Sequence, residues 1–135
     1  MKVECIQNKL KNIEESIYND IFGFDSDSIL PIEVGQQSIV YAIATINKNL
    51  WYLVDVYGLR YPMFYPRQCF KIIDSKLSKY WKIKETLDFY NNDTVGVIIG
   101  FEEFINNDLF YSELLEDNEN IIEIFNNYKV KMLKE

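Results

Sequence analysis

The runs SIVYAIATI and LWYLVDVY, residues 38–46 and 50–57, flank the polar stretch Asn47-Lys48-Asn49 and constrain this chain more than any other feature. Both runs are dense in β-branched and aromatic residues, and a short polar turn between two such runs predicts a β-hairpin. Alternation along the second run sends Trp51, Leu53 and Asp55 to one face and Leu50, Tyr52, Val54 and Val56 to the other. Both faces are largely apolar. A sheet built on this hairpin is therefore either covered on both sides, or covered by helices on one side and by a partner on the other.

The longer stretch 50–66 holds six aromatic rings, Trp51, Tyr52, Tyr57, Tyr61, Phe64 and Tyr65, and the expected role of most of them is the wall of a core. Tyrosine is the exception that keeps a binding surface in view, because its hydroxyl suits places where one end of the ring stays wet. Gly58 turns the chain into LRYPMFYP, where Pro62 and Pro66 confine any strand to an edge, since proline cannot donate to a ladder.

On either side of this region the pattern changes. Val3, Ile6, Leu10, Ile13, Ile17 and Ile21 recur at spacings of three and four, which predicts an N-terminal helix ended by Gly23. FDSDSILPIEVGQQ reads as a loop. Residues 67–77 fit neither template; LSKYWKIKE reads as a strand and VGVIIGF as a buried one. FEEFINNDLFYSELLED carries one or two short helices, and ENIIEIFNNYKVKMLKE repeats Ile121, Ile122, Phe125, Tyr128 and Met132 at helical spacing. With no internal repeat and no linker, the expectation is one α+β domain over residues 1–135: an N-terminal helix, a central antiparallel sheet of four to five strands, and C-terminal helices. The expected core is Ile6, Leu10, Ile13, Ile17, Ile43, Leu53, Val54, Val97, Ile99, Ile122 and Phe125.

A chain of 135 residues hides roughly two thirds of its unfolded surface on folding, so neither a metal nor a disulfide is needed to hold it. No apolar run approaches the ~20 residues of a membrane span, and MKVECIQNKLKNIEES is too polar for a secretory signal. The expected location is the cytoplasm, with Cys5 and Cys69 as reduced, buried small hydrophobes.

Charge is polarised along the chain, whose net charge is −7. From Arg60 to Lys84 there are seven basic residues (Arg60, Arg67, Lys71, Lys76, Lys79, Lys82, Lys84) against the single acid Asp74. From Glu85 to Tyr128 there are eleven acids and neither a lysine nor an arginine. An ordinary soluble helix pairs its signs. The acidic block, with Phe104, Phe110 and Tyr111 among its carboxylates, suits a basic partner: charge speeds encounter and selects the partner, while aromatic rings supply affinity. The residues expected to carry such binding are Glu102, Glu103, Asp108, Tyr111, Glu113, Glu116, Asp117 and Glu119.

Catalysis finds little support. The absence of histidine removes the commonest general base, the Ser-His and Cys-His pairs, and most zinc or iron ligand sets. Glu102 and Glu103 are adjacent, which on a helix points them about 100° apart, and acids at a helix start favour its dipole. Asp25-Ser26-Asp27-Ser28 resembles the opening of a calcium loop, but an EF-hand needs glycine and glutamate where Leu30 and Gln36 stand. Gly96 and Gly100 have neither phosphate-loop nor dinucleotide spacing, and Asn92-Asp93-Thr94 reads as a turn rather than a glycan acceptor. No cofactor or metal is expected. The basic stretch with its interleaved Tyr61, Phe64, Tyr65, Phe70, Tyr80 and Trp81 has the make-up of a single-strand binder, against which the overall acidity repels phosphate.

The run WYLVDVYGLRYPMFYPRQCFKII, followed by GFEEFINNDLFYSELLEDNENIIEIFNNYK, resembles the small bacterial immunity proteins of polymorphic and contact-dependent toxin systems over roughly residues 50–128. The likeness is one of style, a strand closing in a glycine turn and a Tyr-Pro, then an acidic and aromatic helical end. It implies an α+β inhibitor, not an enzyme, that neutralises a cognate toxin, often a nuclease, by tight binding in the cytoplasm. Immunity proteins diverge most where they touch their toxins, so the acidic residues named above rest on charge alone. Two readings stand beside it: a small ligand binder or enzyme with an aromatic-lined pocket from the 50–66 stretch, and a phage-encoded inhibitor of a host nucleic-acid enzyme, which shares the first mechanism.

Overall fold

The computed structural model describes residues 1–18 and 22–135. The hairpin forms as its residues dictate. Strands β2 (Gln37–Ile46) and β3 (Asn49–Val54) pair antiparallel. Asn47 and Lys48 close the turn with φ of 49° and 62°, the two left-handed residues of a type I′ turn, whose twist matches that of the strands. Edge strand β4 (Met63–Pro66) pairs with β3, and its flanking prolines stand where no further strand is added.

Around the hairpin the chain builds a seven-stranded sheet, more than the four to five strands expected. The strands beyond those expected are β1 (Lys2–Cys5) and β5 (Phe70–Asp74); β6 (Lys82–Leu87) and β7 (Val95–Gly100) form in the stretches read as strands, β6 only from Lys82 onward. β2 is the hub. One of its edges is taken by β3; the other is shared, β1 pairing with residues 37–39 and β7 with Ile43 and Ala44. The sheet therefore forks into a β1–β5 wing and a β7–β6 wing. At the fork the Trp81 indole N–H donates to the Tyr41 carbonyl at 3.1 Å, so a side chain meets a backbone acceptor that neither wing serves.

The predicted N-terminal helix is a correction. Residues 2–5 are β1, followed by a 3-10 turn at Leu10–Asn12 and the single turn α1 (Glu15–Tyr18). The three-and-four spacing does place Leu10, Ile13 and Ile17 in the core. In residues 2–5, however, Val3 and Cys5 alternate inward, and pairing with both β2 and β5 satisfies the backbone there. Ile6, expected inside, is 47% exposed, and Ile21 lies outside the described residues.

Helices α2 (Glu102–Asn106), α3 (Phe110–Leu115) and α4 (Glu119–Leu133) follow the sheet, as expected for the C-terminal part. They cover the face that carries Ala42, Phe64 and Gly100: Phe104 of α2 lies beside Gly100 and Phe64, Tyr111 of α3 packs edge-on to Phe64 at 5.0 Å, and Phe125 of α4 edge-on to Tyr41 at 5.1 Å. The opposite face of β2 to β4 is covered as well, with Phe70 against Tyr52 and Phe24 against Tyr65. Trp51, Tyr52, Phe64 and Tyr65 are all buried, so four of the six rings of the 50–66 stretch are core; Tyr61 is half-buried against that core and Tyr57, at the tip of its turn, is 94% exposed. Val97 and Ile99 are only half-buried, because it is Ile98 and Gly100 that face α2, while Gly96 lies against the Thr45 side chain of β2. Ile122 is half-buried too, beside the inward stripe Ile121, Phe125 and Met132. Cys5 and Cys69 are both buried and free.

Candidate functional site

The acidic block is distributed over the helical layer by three helix starts and two tight turns. Glu102 and Glu103 occupy the first turn of α2, exposed, where carboxylates meet the free N–H groups of the helix end. Beneath them Phe101, Phe104 and Phe110 pack as a cluster with centroids 5.4–5.7 Å apart. Phe101 also stacks on Tyr128 of α4 at 4.2 Å. Burial, and then the facing Glu103 and Glu102 carboxylates, push the Tyr128 hydroxyl up to about 12. Lys131 lies over the same ring at 4.6 Å.

The second group forms at the α3–α4 junction. Glu116 and Asp117 end α3, Asp117 in the left-handed region at φ 60°, a conformation that aspartate tolerates better than most side chains. Asn118 then caps α4, its side chain accepting from Asn120 N at 3.1 Å and Ile121 N at 3.4 Å. Glu119 follows in the first turn, exposed. Tyr128 is nine residues further along α4, so the two acidic groups stand about 13 Å apart along that helix.

The remaining expected residues are partly committed elsewhere. Asp108 pairs with Lys84 at 3.4 Å, and Asp117 with Arg60 at 3.3 Å. Both cations come from the basic block, so the pairing absent along the sequence is made in space. Glu113 is half-buried and accepts from Asn107 Nδ2 at 3.0 Å. Tyr111 is also half-buried, its hydroxyl directed at the Met63 sulfur at 3.7 Å and its pKa pushed up by burial to about 12. Glu102, Glu103, Glu116, Glu119 and Glu123 are exposed, with no lysine or arginine in ion-pair reach among the described residues.

Sequence reasoning counted Asp88 among the surface acids, and the structure places it inside. It is 1% exposed. Its carboxylate accepts from the backbone N–H of Asn47 (2.8 Å), Lys48 (2.7 Å), Tyr90 (2.9 Å) and Asn91 (2.9 Å). Burial alone raises its pKa; these four donors overcome burial and hold it below the ordinary carboxylate range. Asp88 thus ties the β2–β3 turn to the β6–β7 loop. The run of Asp and Asn in DFYNND signals a turn, but its second anchor, 40 residues upstream, has no local signal.

Two of the surface grooves border the helical layer and the hairpin. One, of about 230 Å³, lies between the β6–β7 wing and α2–α3 and is lined by Lys84, Thr86, Ile98, Phe104, Asn107 and Tyr111 among others. Its polar groups are engaged: Lys84 Nζ donates to the Ile105 carbonyl at 3.1 Å and faces Asp108, and Asn107 holds Glu113. The other, of about 460 Å³, is more open and is lined by Glu33, Gln36, Asp55, Tyr57, Leu59 and Lys129. Asp55 there accepts the Tyr41 hydroxyl at 2.8 Å and pairs with Lys129 at 2.9 Å. Among the described residues, no three of Cys, Asp and Glu come together as a metal-ligand set, and no helix is long and apolar enough to cross a membrane.

No protein-family model matches this chain, and neither a curated protein nor a solved structure is significantly similar to it.

Proposed function

We propose that this protein is a non-enzymatic inhibitor that binds a basic protein partner, an immunity protein neutralising a cognate bacterial toxin, through the carboxylates of its helical layer. The observation that carries the reading is the set of five exposed acids, Glu102, Glu103, Glu116, Glu119 and Glu123, with no ion-pair partner among the described residues, on helices anchored to the sheet by aromatic packing. In this reading they stand in for nucleic-acid phosphates in the partner's basic groove, accelerating encounter and fixing register. The exposed Leu109 and half-buried Tyr111 between the two acidic groups supply apolar area.

The test uses Glu102→Lys, Glu116→Lys and Glu119→Lys together, leaving Glu103, Glu113 and Asp117 intact because each makes a contact within the fold. Tagged wild-type and reversed proteins are used to capture partners from the native host at low and high salt. A single basic protein retained at low salt by the wild type, bound at least about 100-fold more weakly by the variant, is the expected result. Equal binding by the two proteins overturns the proposal.

A further inference from the structure

The sheet has three outer strands, and they differ in how their free edges are guarded. β4 is blunted by proline, with Pro62 just before it and Pro66 within it. β5 is paired with β1 through a register break between Lys2 and Val3. β6 has neither device. It runs six residues in unbroken register against β7, from Lys82↔Gly100 to Leu87↔Val95, and no other described strand pairs with it.

Its lysines guard it less than their number suggests. Lys84 is drawn under the sheet to the Ile105 carbonyl and Asp108, leaving Lys82 as the one lysine on this strand without such a contact among the described residues. On the face turned away from the helices, Ile83, Leu87 and Val95 are 68%, 55% and 67% exposed. With half-buried Val97 and Ile99 they make an apolar strip, and Glu85, opposite Val97, is its only charge, with no ion-pair partner among the described residues.

A second copy does not fit this edge. In an antiparallel two-fold pairing, directly opposed residues share a face, so the registers that overlap β6 most are centred on residue 84 or residue 85. The first sets Ile83 against Glu85 and leaves that carboxylate without a cation; the second sets Glu85 against Glu85, which is repulsive. We infer that the outer edge of β6 receives an extended segment of another protein, by strand addition, in which a basic residue is flanked by apolar residues two positions before and two positions after it. The cation sits beside Glu85, the apolar side chains beside Ile83 and Leu87, and the backbone of the segment completes the free half of the β6 ladder. This surface lies on the opposite side of the sheet from the acidic helical layer, and the inference does not depend on the function proposed for that layer.

The probe is a short fluorescent peptide with valine, lysine and valine at every second position and threonine between them, so that all three share a face; a peptide with glutamate in place of the lysine is its counterpart, and binding is followed by anisotropy. Wild-type protein binds the lysine peptide saturably. Glu85→Lys weakens that binding about tenfold and gains the glutamate peptide, and Glu85→Gln falls between them. Asp27→Lys, the same charge change on a distant exposed loop, leaves binding as it was. N-methylation of alternate peptide residues, which removes the ladder donors, abolishes binding. Equal losses in Asp27→Lys and Glu85→Lys, undiminished binding of the methylated peptide, absence of saturable binding, or a β6-dependent dimer in sedimentation would each overturn the inference.

Discussion

At the residue scale, the least dispensable polar group is Asp88. A buried carboxylate with four backbone donors cannot be replaced by an apolar side chain without orphaning those N–H groups, and hydrogen bonds to a charged acceptor exceed neutral ones in strength. Asp88→Asn is expected to cost about 2–3 kcal/mol in urea unfolding. Its pH dependence follows from the same donors. The folded pKa lies below the unfolded value of about 3.9, so the contribution is complete above that pH and is lost as pH falls through the folded pKa. Wild type therefore loses more stability than Asp88→Asn when urea midpoints are compared between about pH 7 and about pH 3. Lys48 offers the opposite case. It holds φ 62° in the hairpin turn, where a side chain is strained and its backbone N–H is all that Asp88 uses. Lys48→Gly should raise stability by about 0.5–1 kcal/mol in the same assay.

At the scale of elements, the junction between sheet and helices is the tight place. A Cβ on Gly100 would stand 3.0 Å from Phe104 Cδ1 and 3.3 Å from the Ala42 Cβ, between β2 and α2. Since both neighbours belong to packed elements, Gly100→Ala must shift the Phe104 ring by a few tenths of an ångström, at a cost of about 1–2 kcal/mol in thermal or urea unfolding. Trp81→Phe keeps most of the ring's apolar area and removes the N–H that reaches Tyr41 at the fork of the sheet. The expected loss is about 1 kcal/mol, and a loss far larger would mean that the indole, rather than its hydrogen bond, holds the two wings together. The helices themselves were legible: α4 shows its inward stripe plainly, and Asn118 stands at its start with a capping side chain. Strand β1 was not, because four residues are too few to tell a period of 2 from one of 3.6 when Leu10, Ile13 and Ile17 continue the longer spacing.

At the scale of the whole molecule, the sequence's division into a basic and an acidic block is partly undone by folding. Arg60 reaches Asp117 and Lys84 reaches Asp108, exposed pairs worth at most about 1 kcal/mol each, so Asp108→Asn should move the unfolding midpoint little. What remains unpaired among the described residues is narrower than the block of eleven: Glu85 and Asp93 on and after β6, and the exposed glutamates of α2 to α4. The sequence alone determined the hairpin, its polar turn, the proline-bounded edge strand, the loop before it and the amphipathic last helix, because each is written in adjacent residues through propensity, alternation and turn chemistry. The tertiary structure decided the rest: that residues 2–5 pair as a strand, that the sheet forks, that Ile98 and Gly100 rather than Val97 and Ile99 face the helices, that Asp88 is internal, and which carboxylates keep no cation. The reason is common to all five. Each depends on which distant backbone or charge lies alongside, and that is set only when satisfying every buried polar group and burying every apolar face are solved together.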